Sequence, residues 1–331
     1  MRAMVLEKIG KNLQYVKDYV LPNLEPHQIL IEIEACGVCR TDLHIFDGEL
    51  SHPHLPLILG HQVVGKVKEL GKKVKQLNIG QRVGVPWLGG SCHHCEFCER
   101  GKENLCSHAV FTGYQLQGGF AEECIANASF CLPLPEKMPA EQLAPLLCGG
   151  LIGYRAYKMA GHGNSIGFYG YGSSAHILTQ VAHKQKRRVY AFTRPGDEEG
   201  QQFALQQGVF WTGGSDTLPP IKLDSVIIFA PVGELVPQAL KAVKKGGTVV
   251  CAGIHMSDIP QFPYELLWEE RVLRSVANLT RKDGRQFMDY VAQNPIKTSV
   301  KVYPLTQANQ ALNDLRSGKI KGSAVLLTTE L

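Results

Sequence analysis

The chain has 331 residues, 44% of them hydrophobic, which is enough for two compact domains with cores of their own and makes disulfide stapling unnecessary. The net charge of +5 is modest, and the densest basic run, KQKRR at 184–188, is too short for a nucleic-acid surface. No stretch of about 18 apolar residues occurs, and MRAMVLEKIG has no signal-peptide pattern, so neither a membrane nor a nucleic acid is an expected partner and a cytoplasmic location is expected.

In chain order, residues 1–151 read as β-rich. ILIEIEA (29–35) alternates apolar and acidic residues at period two; VVGKVKEL, GQRVGVP and GGFAEECI follow as further short strands, and the glycines and prolines between them suit a bent, barrel-like sheet. From 152 the rhythm changes. SIGFYGYGSSAHILTQVAHK reads as strand, glycine turn and helix; RRVYAFT, DSVIIFA and GTVVCAGI as strands; DEEGQQFALQQ and ELVPQALKAVKK as helices; and RVLRSVAN as a strand near a sheet edge. Alternating strands and helices with apolar strands imply a doubly wound parallel sheet, here 152–281. The mixed pattern of 282–331 is expected to return to the first domain.

Ten cysteines without an export signal read as metal ligands or buried thiols. CHHCEFCERGKENLC sets Cys92, Cys95, Cys98 and Cys106 in one loop, and four thiolates would close a tetrahedral shell around a structural zinc, preferred over an iron–sulfur cluster or loose thiols because the chain shows no second cluster motif. His93 and His94 are then surplus to the shell. ACGVCRTDLH holds Cys36, Cys39, Asp42 and His44, while LGHQVVG holds His61 and LLCGGLIGY holds Cys148. Cys39, His61 and Cys148 would leave zinc an open fourth position, but their separation leaves buried thiols and a core histidine equally open.

GFYGYGSSA fits the G-x-G-x-x-A dinucleotide turn through Gly170, Gly172 and Ala175, placed between a strand and a helix N-terminus as pyrophosphate binding requires. At the end of the next strand an acid would select NAD(H). This chain has Thr193 and Arg194, a hydroxyl and a guanidinium that suit a 2′-phosphate, so NADP(H) is preferred over NAD(H). Val232 in FAPVG, and Gly253 and Ile254 in CAGIH, end two successive strands where a nicotinamide would lie, although plain turn geometry explains them too.

GVCRTDLH, GHQVVG, the cysteine quartet, LLCGGLIGY and the dinucleotide fold, in this order over essentially the whole chain, resemble the zinc-dependent medium-chain alcohol dehydrogenases, including the cinnamyl-alcohol-dehydrogenase-like branch. The resemblance implies an α/β chain with a GroES-like β-barrel catalytic domain and a Rossmann cofactor domain. It implies two zinc ions per subunit, a catalytic one on Cys39, His61 and Cys148 and a structural one on the quartet. It further implies a proton relay through Thr41 and His44, an Asp42 carboxylate orienting the metal-bound histidine, and Arg40 on the cofactor pyrophosphate. The implied reaction is hydride transfer between a small-molecule primary alcohol or aldehyde and the nicotinamide, in a homodimer or homotetramer with YELLWEERVLRSVANL as a candidate contact. Phe46, Trp87 and Leu88 are candidate pocket walls.

Gln62 departs from the family's GHE pattern, removing a negative charge beside the metal. Two alternatives stand beside this reading. An enoyl or quinone reductase would need no catalytic zinc, and a zinc-stabilised nucleotide-binding sensor would bind cofactor without turnover.

Overall fold

The computed structural model describes residues 1–50 and 53–328. The chain divides into two compact units: Met1–Leu151 together with the segment from Asn278, and Ile152–Ala277. The return comes at 277/278 rather than at the expected 281/282. Thr280 caps the helix Arg281–Gln293 through Asp283, and Leu279 is buried against the glycine face of that helix, so both belong with the first unit.

The first unit is built on a bent sheet whose central strand, Gln28–Val38, pairs antiparallel with Val63–Leu70, Glu123–Asn127 and Ser323–Leu327. Its first half alternates buried and open residues, as a one-sided strand must; its second half, from Ala35, is buried throughout. Register shifts against Val63–Leu70 bend the strand twice, which curls the sheet around the core. The C-terminal segment adds Val300–Pro304, the helix Ala308–Arg316 and Ser323–Leu327, the two strands pairing parallel.

GGFAEECI was expected to be strand from its start. The strand begins only at Glu123, because Gly118 and Gly119 instead lie against Ile58–Gly60 through backbone hydrogen bonds, with a Gly118 Cβ falling 2.3 Å from the Gly60 carbonyl oxygen. No side chain fits that approach.

The second unit carries a six-stranded sheet, all parallel, in the order Trp211–Gly214, Arg188–Thr193, Ser165–Tyr169, Leu223–Ile228, Val243–Cys251, Val272–Ser275. Ser165–Tyr169 is buried at every position, as expected for a strand covered on both faces. The order turns back on itself beside this strand, giving the doubly wound topology and its ligand crevice at the strands' carboxyl ends. The helix expected over ELVPQALKAVKK stops at Ala242, where the buried, β-branched Val243 opens a strand longer than GTVVCAGI suggested.

Candidate active site

The short helix Arg40–Phe46 starts at Cys39, whose backbone N–H donates to Asp42 Oδ2 at 2.8 Å. The other Asp42 oxygen accepts from Gly60 N–H at 3.1 Å, so one fully buried carboxylate joins the helix start to the turn before His61. Gly60 has φ +96°, and a Cβ there would meet the Phe120 ring at 2.5 Å, so the turn requires glycine. His61 follows, fully buried, with Nδ1 3.2 Å from Asp42 Oδ1 but short of good hydrogen-bond alignment. Its other nitrogen, Nε2, is 3.2 Å from Cys39 Sγ.

Cys148 arrives from far along the chain, where the buried turn Ala144–Leu147 ends, and its sulfur lies 3.9 Å from Cys39 Sγ. The three ligand atoms fall within 4.8 Å of one another. A tetrahedral zinc with Zn–S near 2.3 Å separates two sulfur ligands by about 3.8 Å, so the spacing and the soft donor set fit that ion. Cys36, from the same motif, is not in the cluster; its thiol is buried against Gly119 and donates to the Gly37 carbonyl.

Charge is concentrated here with His61 and Asp42 fully buried and the two cysteines partly so. The Cys148 thiol donates to Cys39, and with His61 and Thr41 it holds the Cys39 thiol well below its ordinary value against the opposing effect of burial. Burial by itself would depress His61, but the Cys39 thiolate and the Asp42 carboxylate raise it to about 10. Burial keeps Asp42 above the usual carboxylate range, although His61 partly offsets this. These neighbours favour charge on Cys39 and His61, and a divalent metal held there would compete with their protons.

Thr41 and His44, both buried, stand three residues apart and so share one face of the helix. His44 Nδ1 contacts the Glu49 carboxylate, which is half exposed. Glu49 had no signature in the sequence; a carboxylate just past the helix end would have been the only hint. Gln62 is buried with its side-chain N–H2 lacking a partner, and it lies across Gly37, where a Cβ would approach its Oε1 to 2.5 Å. Arg40 is exposed on the first turn.

Of the three candidate pocket walls, only Trp87 lies at the cluster, edge-on to His61 at 4.9 Å and stacked on Phe111 and Tyr114. Phe46 is in the hydrophobic core under the Arg316 guanidinium, at the far end of its helix. Leu88 is buried in a strand paired with Phe111. Both were expected as walls, and both are core: the helix turns Phe46 inward, and Leu88 is buried at the start of its strand.

The quartet closes in the same unit. Cys92 Sγ is 3.5 Å from Cys106 Sγ and 3.9 Å from Cys98 Sγ, and Cys95 completes the group. Backbone N–H groups of His94 and Cys95 help lower Cys92 to about 6 despite burial, so the knuckle favours a thiolate. His94 turns onto the Cys92 carbonyl at 2.7 Å and His93 onto the Phe130 ring. The lobe is tied down by Glu103, whose buried carboxylate accepts both the backbone and side-chain N–H of Arg281 at 2.9 Å.

In the second unit, Gly170 has φ +88° and a Cβ there would strike the backbone of Ala230 at 3.0 Å, while a Cβ on Gly172 would meet nothing within 4 Å. Gly172 caps the helix Ser173–Lys184 without a side-chain hydrogen bond, so the open space before it is bounded by a helix N-terminus. The buried Ala175 sits in the first turn of that helix. Thr193 differs from expectation. It is buried, its hydroxyl donates to the Arg194 carbonyl and accepts from Gln201, and only Arg194 remains exposed. Val232 and Ile254 are exposed just past two strand ends, and a Cβ on Gly253 would come within 3.0 Å of the Ala230 carbonyl oxygen and Pro231 Cα.

A bent sheet bearing two cysteine-rich clusters of metal-ligand geometry, followed by a doubly wound parallel sheet with an open glycine turn, is the architecture of the medium-chain dehydrogenase class. Residues 25–136 match the family model "Alcohol dehydrogenase GroES-like domain" and residues 216–326 the model "Zinc-binding dehydrogenase". The Mycobacterium tuberculosis protein named "Probable alcohol dehydrogenase AdhA" is 43% identical over 93% of this chain and 90% of its own length. An alcohol dehydrogenase of Geobacillus stearothermophilus is 34% identical over 100% of both chains. A cinnamyl alcohol dehydrogenase from Sorghum bicolor shares the fold at a TM-score of 0.89, with 22% identity, 98% of this chain and 96% of that one covered. The chain belongs to the zinc-binding alcohol dehydrogenase family.

Proposed function

We propose that this protein interconverts a primary alcohol and its aldehyde with NADP(H), using zinc on Cys39, His61 and Cys148 and a second zinc on Cys92, Cys95, Cys98 and Cys106. The observation that carries the reading is the three-ligand cluster, whose donor set and spacing suit a zinc with one position left for substrate. When bound there, zinc supplies a Lewis acid to the alcohol oxygen. Asp42 holds the His61 ring with Nε2 toward the sulfurs. Thr41 and His44 carry the alcohol proton outward along one helix face, and Glu49 receives it at the surface. Trp87 supplies an apolar, aromatic wall beside His61.

In the second unit Gly170, Gly172 and Ala175 open the helix N-terminus to the pyrophosphate. Arg40, exposed in the first unit, is assigned to phosphate by the family resemblance alone. Recognition of a 2′-phosphate rests on Arg194 alone, since the Thr193 hydroxyl is engaged internally. Val232, Gly253 and Ile254 bound the nicotinamide end. The strand Val272–Ser275 lies at the sheet edge with Tyr264 and Trp268 exposed before it, which supports a homodimer or homotetramer built through this edge. Metal-ligand and buried thiols suit a reducing compartment, the cytoplasm. Among the described residues, no helix is long and apolar enough to cross a membrane.

Zinc content measured alongside kcat/KM for NADPH and NADH, over aliphatic and aromatic aldehydes, tests the reading. His61→Ala should lose one zinc equivalent and about 10³-fold in turnover, several kcal/mol of barrier, with an unchanged circular dichroism spectrum. A clear preference for NADH would overturn the cofactor assignment; full turnover with a single zinc would overturn the catalytic metal.

A further inference from the structure

The first unit contains a cleft of about 410 Å³ whose lining does not include the Cys39, His61 and Cys148 cluster. Three separately anchored segments form it. Lys73 comes from a turn fastened by its own N–H to the Pro26 carbonyl, and His27 from the neighbouring turn. Ser91 and His93 come from the start of the cysteine quartet, and Asn127 and Ser129 from a short helical turn in which Asn127 Oδ1 accepts both the N–H and the hydroxyl of Ser129. Ser91 Oγ is buried and has no hydrogen-bond partner. No carboxylate lines the cleft, although Glu25 pairs with His27 at 3.4 Å, and Lys72 and Lys75 flank Lys73 in sequence.

We propose that this cleft binds a small phosphorylated metabolite, its phosphoryl oxygens met by Lys73, the Ser91 hydroxyl and the His93 imidazole, while His27 stays with Glu25 at the edge. An ammonium beside a hydroxyl and an imidazole, with no carboxylate in the lining itself, forms the environment of a phosphoryl group. The volume exceeds what a phosphate ion fills, leaving space for a polar body, which Asn127 and Ser129 can hydrogen-bond. Because the quartet fixes Ser91 and His93, the site is expected in zinc-loaded protein.

The test is equilibrium dialysis of zinc-loaded, full-length protein against radiolabelled pyrophosphate and, separately, glycerol 3-phosphate, with NADP(H) at saturation. One equivalent should bind; Lys73→Ala should weaken binding at least tenfold and Ser91→Ala severalfold, with kcat/KM for the aldehyde unchanged in both. Lys137→Ala, a lysine on the same unit away from the cleft lining, should leave binding intact. Tighter glycerol 3-phosphate binding supports a phosphate ester, and tighter pyrophosphate binding a free polyphosphate. Absence of saturable binding, displacement by NADP(H), or equal losses in Lys137→Ala and Lys73→Ala would overturn the proposal.

Discussion

His61 has no exposed surface and sits between a thiolate and a carboxylate, so its charge is decided by neighbours rather than by solvent. The next residue acts on the same small volume. Gln62 brings a buried amide with an unpartnered N–H2 where the family's carboxylate stands, and so leaves the metal site one charge more positive. A more positive site favours loss of the substrate proton. Gln62→Glu is nearly isosteric and should raise the apparent pKa of the kcat/KM profile for alcohol oxidation by on the order of one unit. An unchanged profile in protein of unchanged zinc content would remove Gln62 from the electrostatics of the reaction.

At the scale of elements, the two units each use a buried or partly buried carboxylate as a pin. Asp42 joins a helix start to a glycine turn, and Asp224 joins two parallel strands. Asp224 Oδ2 accepts from Asn164 N–H, Ser165 N–H and the Ser165 hydroxyl, while Oδ1 accepts from Lys244. Partial burial opposes ionisation, but Lys244 and Ser165 overcome it and lower the group to about 2. A carboxylate depressed in the folded state contributes stability that is complete above its unfolded value near 3.8 and is lost as pH falls toward 2. Asp224→Ala should therefore lower Tm at pH 7 and flatten the fall of Tm between pH 4 and about pH 2; a mutant curve parallel to wild type through that window would show that the pin does not act through its charge. Its partner Lys244 is half exposed, so solvent screens the pair and the effect should be modest.

For the whole molecule, both candidate metal clusters lie in the first unit and differ in what they hold together. The quartet closes a loop that has little core of its own, whereas the Cys39, His61 and Cys148 cluster stands among elements already buried. Cys98→Ser should thus lower Tm by several degrees and release one zinc equivalent. Cys148→Ser should also cost one equivalent and abolish turnover but shift Tm much less. Paired calorimetry and metal analysis measure both. Equal Tm losses in the two variants would contradict this division of labour.

The sequence by itself determined what is local. The quartet, the glycine turn, the period-two strands and the strand–helix alternation are written within a few turns of chain, because ligand spacing, glycine freedom and side-chain periodicity are short-range properties. Cys39 and His61 are 22 residues apart and Cys39 and Cys148 are 109, so nothing in their spacing made them neighbours, and only the resemblance joined them before the fold did. Tertiary structure alone decided that Thr193 turns inward while Arg194 stays open, that Phe46 and Leu88 are core and Trp87 is not, and that Glu49 meets His44. The physical reason is common to all of them: which side of a strand end or helix a residue occupies depends on what the rest of the chain buries against it.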